Sequence, residues 1–226
     1  MKEKIAIIVG MRLEATLLHG FSQNFVGIAG GSDKKVKSLT QSFIDRQVEG
    51  LISFGFAGGL DPDLDVGTVV IAKSVATLSG QEILTSAKWG NKISAQLGCF
   101  YSTGTILGSK YPIIDSQQKI DVFHQTNAVA VDMESYAMAE IAHAHKIPFI
   151  IIRVILDPAQ KKIHPKIAAL FQADGKIDSK GIIKILLKEP KLLKEFLDLG
   201  RQFYLARRRL NYVARLFCPD FAFGGF

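Results

Sequence analysis

Residues 130–157, AVDMESYAMAEIAHAHKIPFIIIRVILD, decide the fold. A short apolar lead reaches two carboxylates two positions apart, Asp132 and Glu134. A helical pattern follows over 132–146, and then the nearly unbroken apolar run PFIIIRVI at 148–155. Strands buried on both faces in a covered sheet have that kind of apolar run. The unit is therefore strand, helix, strand, with acids at the first turn and again at the second strand's end.

Working outward, similar apolar runs recur at 4–10, 24–30, 51–57, 68–72 and 100–107, with AVAV at 128–131. Helical patterns fill 32–48, 86–97 and 115–125. Such alternation predicts a layered α/β/α fold around a central mixed sheet. Between 58 and 85 strands follow one another without a helix, so the sheet is expected to curl into a partial barrel. After Asp157 the polar, turn-rich stretch QKKIHPKIAALFQADGKIDSKG reads as a mobile loop, and a long helical extension runs from there to about Phe217.

With 226 residues, 48% of them hydrophobic and 22% charged, one substantial core is affordable in size, and a single domain spanning 1–226 is expected. The N-terminus lacks a cleavable leader pattern, and no apolar run approaches the ~18 residues needed to cross a bilayer. Cytoplasmic residence is the expectation. Cys99 and Cys218 are far apart, and His143 and His145 at i,i+2 point to different helix faces, so no metal site is expected. Of the net charge of +7, +6 lies in 180–226, where ten Lys or Arg face four acids.

Ligands of α/β sheets bind beyond the carboxyl ends of strands. Glu14, Glu134 and Asp157 all fall at such points. Each has a structural explanation as well, as a cap, a first-turn acid or a turn former. Together they suit a nucleoside. A carboxylate accepts both hydroxyls of a vicinal diol, a buried Asp shares a proton with a ring nitrogen of a departing base, and a third acid polarises water. The glycines of GFAGGL at 55–60 let backbone N–H groups of Ala57 and Gly58 approach an anion or sugar oxygen. The spacing is not that of a dinucleotide-binding turn.

Four segments, VGMRLEATLL (9–18), GIAGGSDKKVKSL (27–39), SFGFAGGLDPDLDVGTVVIA (53–72) and 130–157, resemble the purine nucleoside phosphorylase and methylthioadenosine nucleosidase superfamily. The resemblance covers about 4–157. It implies that Glu134 binds the ribose diol with Met133 packed on the sugar, that Asp157 stabilises the leaving purine at N7, and that Glu14 activates water. Ile113 and Ile114 would wall the base, and Arg12 would join Ala57 and Gly58 near the nucleophile. No cofactor is implied, while inorganic phosphate is an optional co-substrate. A homodimer or larger homo-oligomer is also implied.

The chain departs from the pattern where Phe56 stands in place of a frequent Ser and where Leu156 replaces another, which leaves phosphorolysis and hydrolysis both open. A short segment before GIAGGS, together with LGRQFYLARRRLNYVARL (199–216), looks like the hopanoid-associated phosphorylase branch, whose members release adenine from adenosylhopane. The 180–226 segment reads as a basic amphipathic helix ending in the aromatic FAFGGF, suited to an anionic membrane surface or to packing on the domain. A non-catalytic nucleoside-binding module is the competing class. The tail carries no base-reading motif, so nucleic acid is not an expected partner.

Overall fold

The computed structural model describes residues 5–98, 101–161 and 189–224. The polar stretch expected as a mobile loop, and the first turns of the expected helical extension, lie outside these residues.

Eight strands form one sheet: β1 (Ile5–Val9), β2 (Val26–Ile28), β3 (Gly50–Gly59), β4 (Val69–Ala76), β5 (Glu82–Leu84), β6 (Tyr101–Gly108), β7 (Ala128–Asp132) and β8 (Phe149–Asp157). Among the described residues the α-helices are α1 (Arg12–Leu17), α2 (Asp33–Asp45), α3 (Ala87–Leu97), α4 (Ser116–Thr126), α5 (Ser135–Ala144) and α6 (Leu193–Phe217).

Pairing closes on itself. β3 lies against β7, β7 against β6, β6 against β4, β4 against β8, and β8 returns to β3, a ring of five strands. β3 is long enough to serve two partners on one edge: Gly50–Ser53 pairs with β1, then Gly58 and Gly59 pair antiparallel with β7. β1 and β2 thus continue the sheet outside the ring, and β5 flanks β4. The expected mixed, partly barrel-like sheet is present. Its strands are Val- and Ile-rich because both faces are covered: residues 149–155 of β8 are all buried.

Helix ends follow local chemistry. Ser32, Ser86 and Asp115 cap α2, α3 and α4 by accepting backbone N–H groups of the first turn. Asn127 ends α4 in the left-handed conformation that Asn tolerates.

The last helix is part of the core. Leu199, Ala206, Leu210, Val213, Ala214 and Phe217 are buried on one of its faces. The aromatic ending does not project toward a surface: Phe221 is fully buried against Phe54 and Phe217, and Phe223 meets Trp89 at 4.7 Å between ring centroids. Trp89 Nε1–H donates to the Phe221 carbonyl at 2.7 Å. Large apolar rings gain more from filling a core than from lying on an interface, and the Trp donor holds the turn. The opposite face of α6 keeps Leu197, Tyr204, Tyr212 and Leu216 exposed.

Candidate active site

Glu14 sits in the first turn of α1, immediately past the carboxyl end of β1. Its Oε2 accepts the Met11 N–H at 2.7 Å, and its Oε1 accepts the Phe56 N–H on β3 at 2.8 Å. The acid is buried, and burial raises its pKa above the ordinary value, against the pull of Arg153 and the backbone donors of Phe56, Met11 and Gly10.

Asp132 and Glu134 answer to different needs. Asp132 Oδ1 accepts the Ser135 N–H at 3.1 Å, so it caps α5, while its Oδ2 pairs with Arg153 Nε at 2.6 Å. Glu134 makes no side-chain cap. Its Oε1 reaches instead to the Gly31 N–H at 3.1 Å, after β2. The approach is close enough to require glycines: a Cβ on Gly10 would stand 2.8 Å from Glu134 Oε1, and one on Gly31, at φ +70°, 2.8 Å from Met133 Cε. Met133 is thereby fixed beside Glu134, and it lines a cavity of about 290 Å³ with Asp33, Lys37, Gln81, Ser109 and Tyr136.

Beneath these acids lies Arg153, fully buried on β8. Nη2 donates to Ser53 Oγ at 2.6 Å and Ser135 Oγ at 3.2 Å, Nη1 donates to the Phe56 carbonyl at 3.3 Å, and Glu134 Oε2 lies 3.5 Å from Nη2. Burial works against the guanidinium charge, but Asp132, Glu134 and Glu14 outweigh it and hold its pKa above the ordinary value. Three carboxylates thus share one fixed cation. Ionising all three would leave excess negative charge in a dry site, and burial pushes Glu134 up to about 7, with Asp132 and Glu14 adding to the rise and Arg153 opposing it.

Asp157 ends β8 beside Gly58, whose Cβ position would be 3.4 Å from Oδ2. Its partner is Lys119 on α4, a lysine with no exposed surface: Nζ contacts Asp157 Oδ2 and donates to the Asp157 and Pro158 carbonyls at 3.2 Å each. Burial raises the Asp157 pKa and the adjacent ammonium opposes the rise. β3 shifts register against β8 between Ala57 and Gly58, at the level of this acid.

The fold therefore gathers Glu14, Glu134, Met133, Asp157, Ala57 and Gly58 around the carboxyl ends of β1, β3, β7 and β8. Ile113 is buried with Leu60, Leu107, Val122 and Val131, on the Asp157 side, and Ile114 is half-buried next to it. Arg12 takes another direction. It is exposed and lines a separate cleft of about 510 Å³ with Thr16, His19, Gln23 and Ile28, because Glu14 turns inward and Arg12 sits on the opposite side of the helix. Phe56 directs its ring to Phe203 of α6, 5.9 Å between centroids, while its backbone serves Glu14 and Arg153.

Sequence reasoning missed Arg153 and Lys119. A lone Arg in PFIIIRVI, a strand apolar on both faces, signals a buried charge that must be paired. Lys119 lies three residues before the buried Val122, on the same face of α4, and that spacing is the signal that it points inward. No cluster of three or more metal-binding side chains occurs among the described residues.

Residues 25–188 match the family described as Phosphorylase superfamily. The 5′-methylthioadenosine/S-adenosylhomocysteine nucleosidase of Thermotoga maritima is 25% identical over 177 residues, covering 74% of this chain and 81% of that protein. The enzyme of the same name from Glaesserella parasuis is 29% identical over 136 residues, 51% of this chain and 59% of that protein. Among solved structures, the Neisseria meningitidis nucleosidase in complex with methylthio-immucillin-A superposes with a TM-score of 0.69 at 19% identity, covering 96% of this chain and 98% of that one. The Helicobacter pylori nucleosidase with butyl-thio-DADMe-Immucillin-A gives 0.66 at 17% identity, covering 95% and 99%. At these identities the structural likeness carries the fold.

Proposed function

Since the chain belongs to the phosphorylase superfamily, we propose that it cleaves the N-glycosidic bond of a purine nucleoside and releases adenine, with adenosylhopane as the substrate. The observation that carries the reading is the placement of two acids against positions two residues apart on β3: Glu14 holds the Phe56 N–H, and Asp157 stands against Gly58. One can serve the nucleophile and the other the leaving group across a single sugar.

In this reading Glu134 accepts the two ribose hydroxyls and Met133 packs on the sugar. Asp157 supplies a proton at N7 so that the base leaves neutral, and Ile113 and Ile114 wall the base. Glu14 orients and deprotonates water. If phosphate is the nucleophile, the N–H groups of Ala57 and Gly58 are its anchor, since Phe56 offers no hydroxyl. The bulky 5′ substituent is supported by the short segment between α1 and β2. Methylthioadenosine and S-adenosylhomocysteine, the substrates in the relatives' names, share the adenosine part and define the alternative 5′ group. The reading includes a homo-oligomer; Leu84 and Tyr111, 74% and 77% exposed, are apolar enough to be its contact residues.

The test is chromatographic detection of adenine from adenosylhopane and from methylthioadenosine, each with and without phosphate. Adenine from the lipid substrate, lost in Asp157→Asn with the melting temperature retained, is the expected outcome. Phosphate-independent release should vanish in Glu14→Gln. Release from methylthioadenosine alone would move the substrate to the small nucleosides, and release from neither would overturn the reading.

A further inference from the structure

Asp157 faces a difficulty as an acid. It is ion-paired to a buried lysine, and a carboxylate held in that way lacks the proton that a departing purine must receive. We propose that Lys119 is the source of that proton, a positioning residue acting only through Asp157, which relays the proton from Nζ to the base. The inference rests on the nucleoside-cleavage reading of the site and adds to it the residue that charges the acid.

The geometry carries it. All three N–H bonds of the Lys119 ammonium have acceptors: Asp157 Oδ2, the Asp157 carbonyl and the Pro158 carbonyl. An ammonium has three donors and no acceptor, so this socket is complete for the charged form. The Asp157 backbone is held by the same nitrogen that holds its side chain, which fixes where the carboxyl points. Val131 of β7 approaches Gly58 from beside Asp157, and it belongs to an apolar cluster with Val122 of α4, one turn from Lys119, and with Leu60, Leu107 and Ile113. Asp157 from β8 and Lys119 from α4 are the titratable groups that meet there among the described residues.

In the reaction the C1′–N9 bond breaks and its electron pair passes into the purine ring. N7 becomes basic as Lys119 Nζ passes a proton to Asp157 Oδ2, and the Asp157 carboxyl hands that same proton on to N7. Lysine ends neutral, aspartate ends anionic, and adenine leaves neutral. The sugar carbon is captured on its opposite face by water or phosphate, and the proton that water gives up goes to Glu14. The neutral amine is then left among three oxygen acceptors, a poor environment for its lone pair, so it regains a proton from solvent once the base has gone.

The experiment compares leaving groups. Adenosine with a suitable 5′ group needs protonation at N7; a 4-nitrophenyl riboside does not, because nitrophenolate is stable as an anion. Lys119→Met is expected to slow adenine release 100-fold or more, in line with the 10²–10⁴-fold range of acid catalysis, and to change nitrophenol release less than threefold. Lys119→Arg keeps a charge and donors for Asp157 but not a proton it can release, so it should also lose adenine release. In Lys119→Met the residual adenine release should fall from acid pH upward, because Asp157 must then carry its own proton.

Equal slowing of both leaving groups in Lys119→Met would reduce Lys119 to a structural role and overturn the proposal. Wild-type adenine release in Lys119→Arg would do the same. Nitrophenol release by Lys119→Met reports a folded site independently, so misfolding cannot mask the result. Absence of adenine release by the wild type itself would count against the nucleoside-cleavage reading rather than against Lys119.

Discussion

Glu134 has a pKa pushed up to about 7 from an ordinary 4.5, with burial the first cause. In the folded state it therefore binds more protons than in the unfolded chain between those values. Stability present at acid pH is lost as pH rises through the window, in total on the order of 3 kcal/mol at about 1.4 kcal/mol per unit. Glu134→Gln should remove this contribution, so that urea midpoints measured from about pH 4.5 to 7.5 fall less steeply for the variant than for the wild type, the rest of the slope coming from Glu14 and Asp157, which burial also raises. Under the proposed ribose-binding role, the same substitution should raise KM most, since the amide replaces one acceptor oxygen by a donor. The paired spelling DMES in the sequence marked two acids at one strand end, but did not divide their labour. Asp132 caps α5 and holds Arg153, and Glu134 reaches across to the Gly31 N–H. That division depends on Gly10 and Gly31, which are more than a hundred residues away and leave room for the Glu134 carboxylate and Met133.

At the scale of elements, the strands were the most readable part, because runs such as FIIIRVI are apolar on both faces and leave little choice. The ring closure was readable only as a curl, since it depends on β3 changing partner from β1 to β7 along one edge, and no periodicity encodes that. α6 was the most ambiguous element. Its apolar residues fall on two faces: Leu210, Val213 and Phe217 go into the core, while Leu197, Tyr204 and Leu216 remain outside near Arg201, Arg208 and Arg215. The outer face is the one suited to an anionic surface. Replacing Arg201, Arg208 and Arg215 by Glu should abolish co-sedimentation with vesicles rich in anionic lipid at low salt, while adenine release from a water-soluble nucleoside is unchanged. Sedimentation of the wild type that is absent, or equal to that of the variant, would overturn the sequence-based expectation that this helix docks on an anionic membrane surface.

At the scale of the whole molecule, one apolar cluster joins distant parts of the chain. Phe21, Phe54 and Trp89, from the first half, pack with Phe217, Phe221 and Phe223 from the last ten described residues. Phe221→Ala should cost about 3–5 kcal/mol, as expected for emptying a filled aromatic site. Leu197→Ala, exposed on α6, should stay within ~0.5 kcal/mol. Denaturant midpoints would separate the two. A midpoint for Phe221→Ala close to that of the wild type would mean that the aromatic ending is not part of the core.

That cluster has a consequence for synthesis on the ribosome. Phe54 and Trp89 are made long before Phe217 and Phe221, and at about 5–20 residues per second the interval is on the order of ten seconds. During it the nascent sheet has one apolar side without its cover, and the final packing waits for residue 223 to leave the exit tunnel. Chaperone occupancy on nascent chains should therefore be concentrated in that interval and end when α6 emerges.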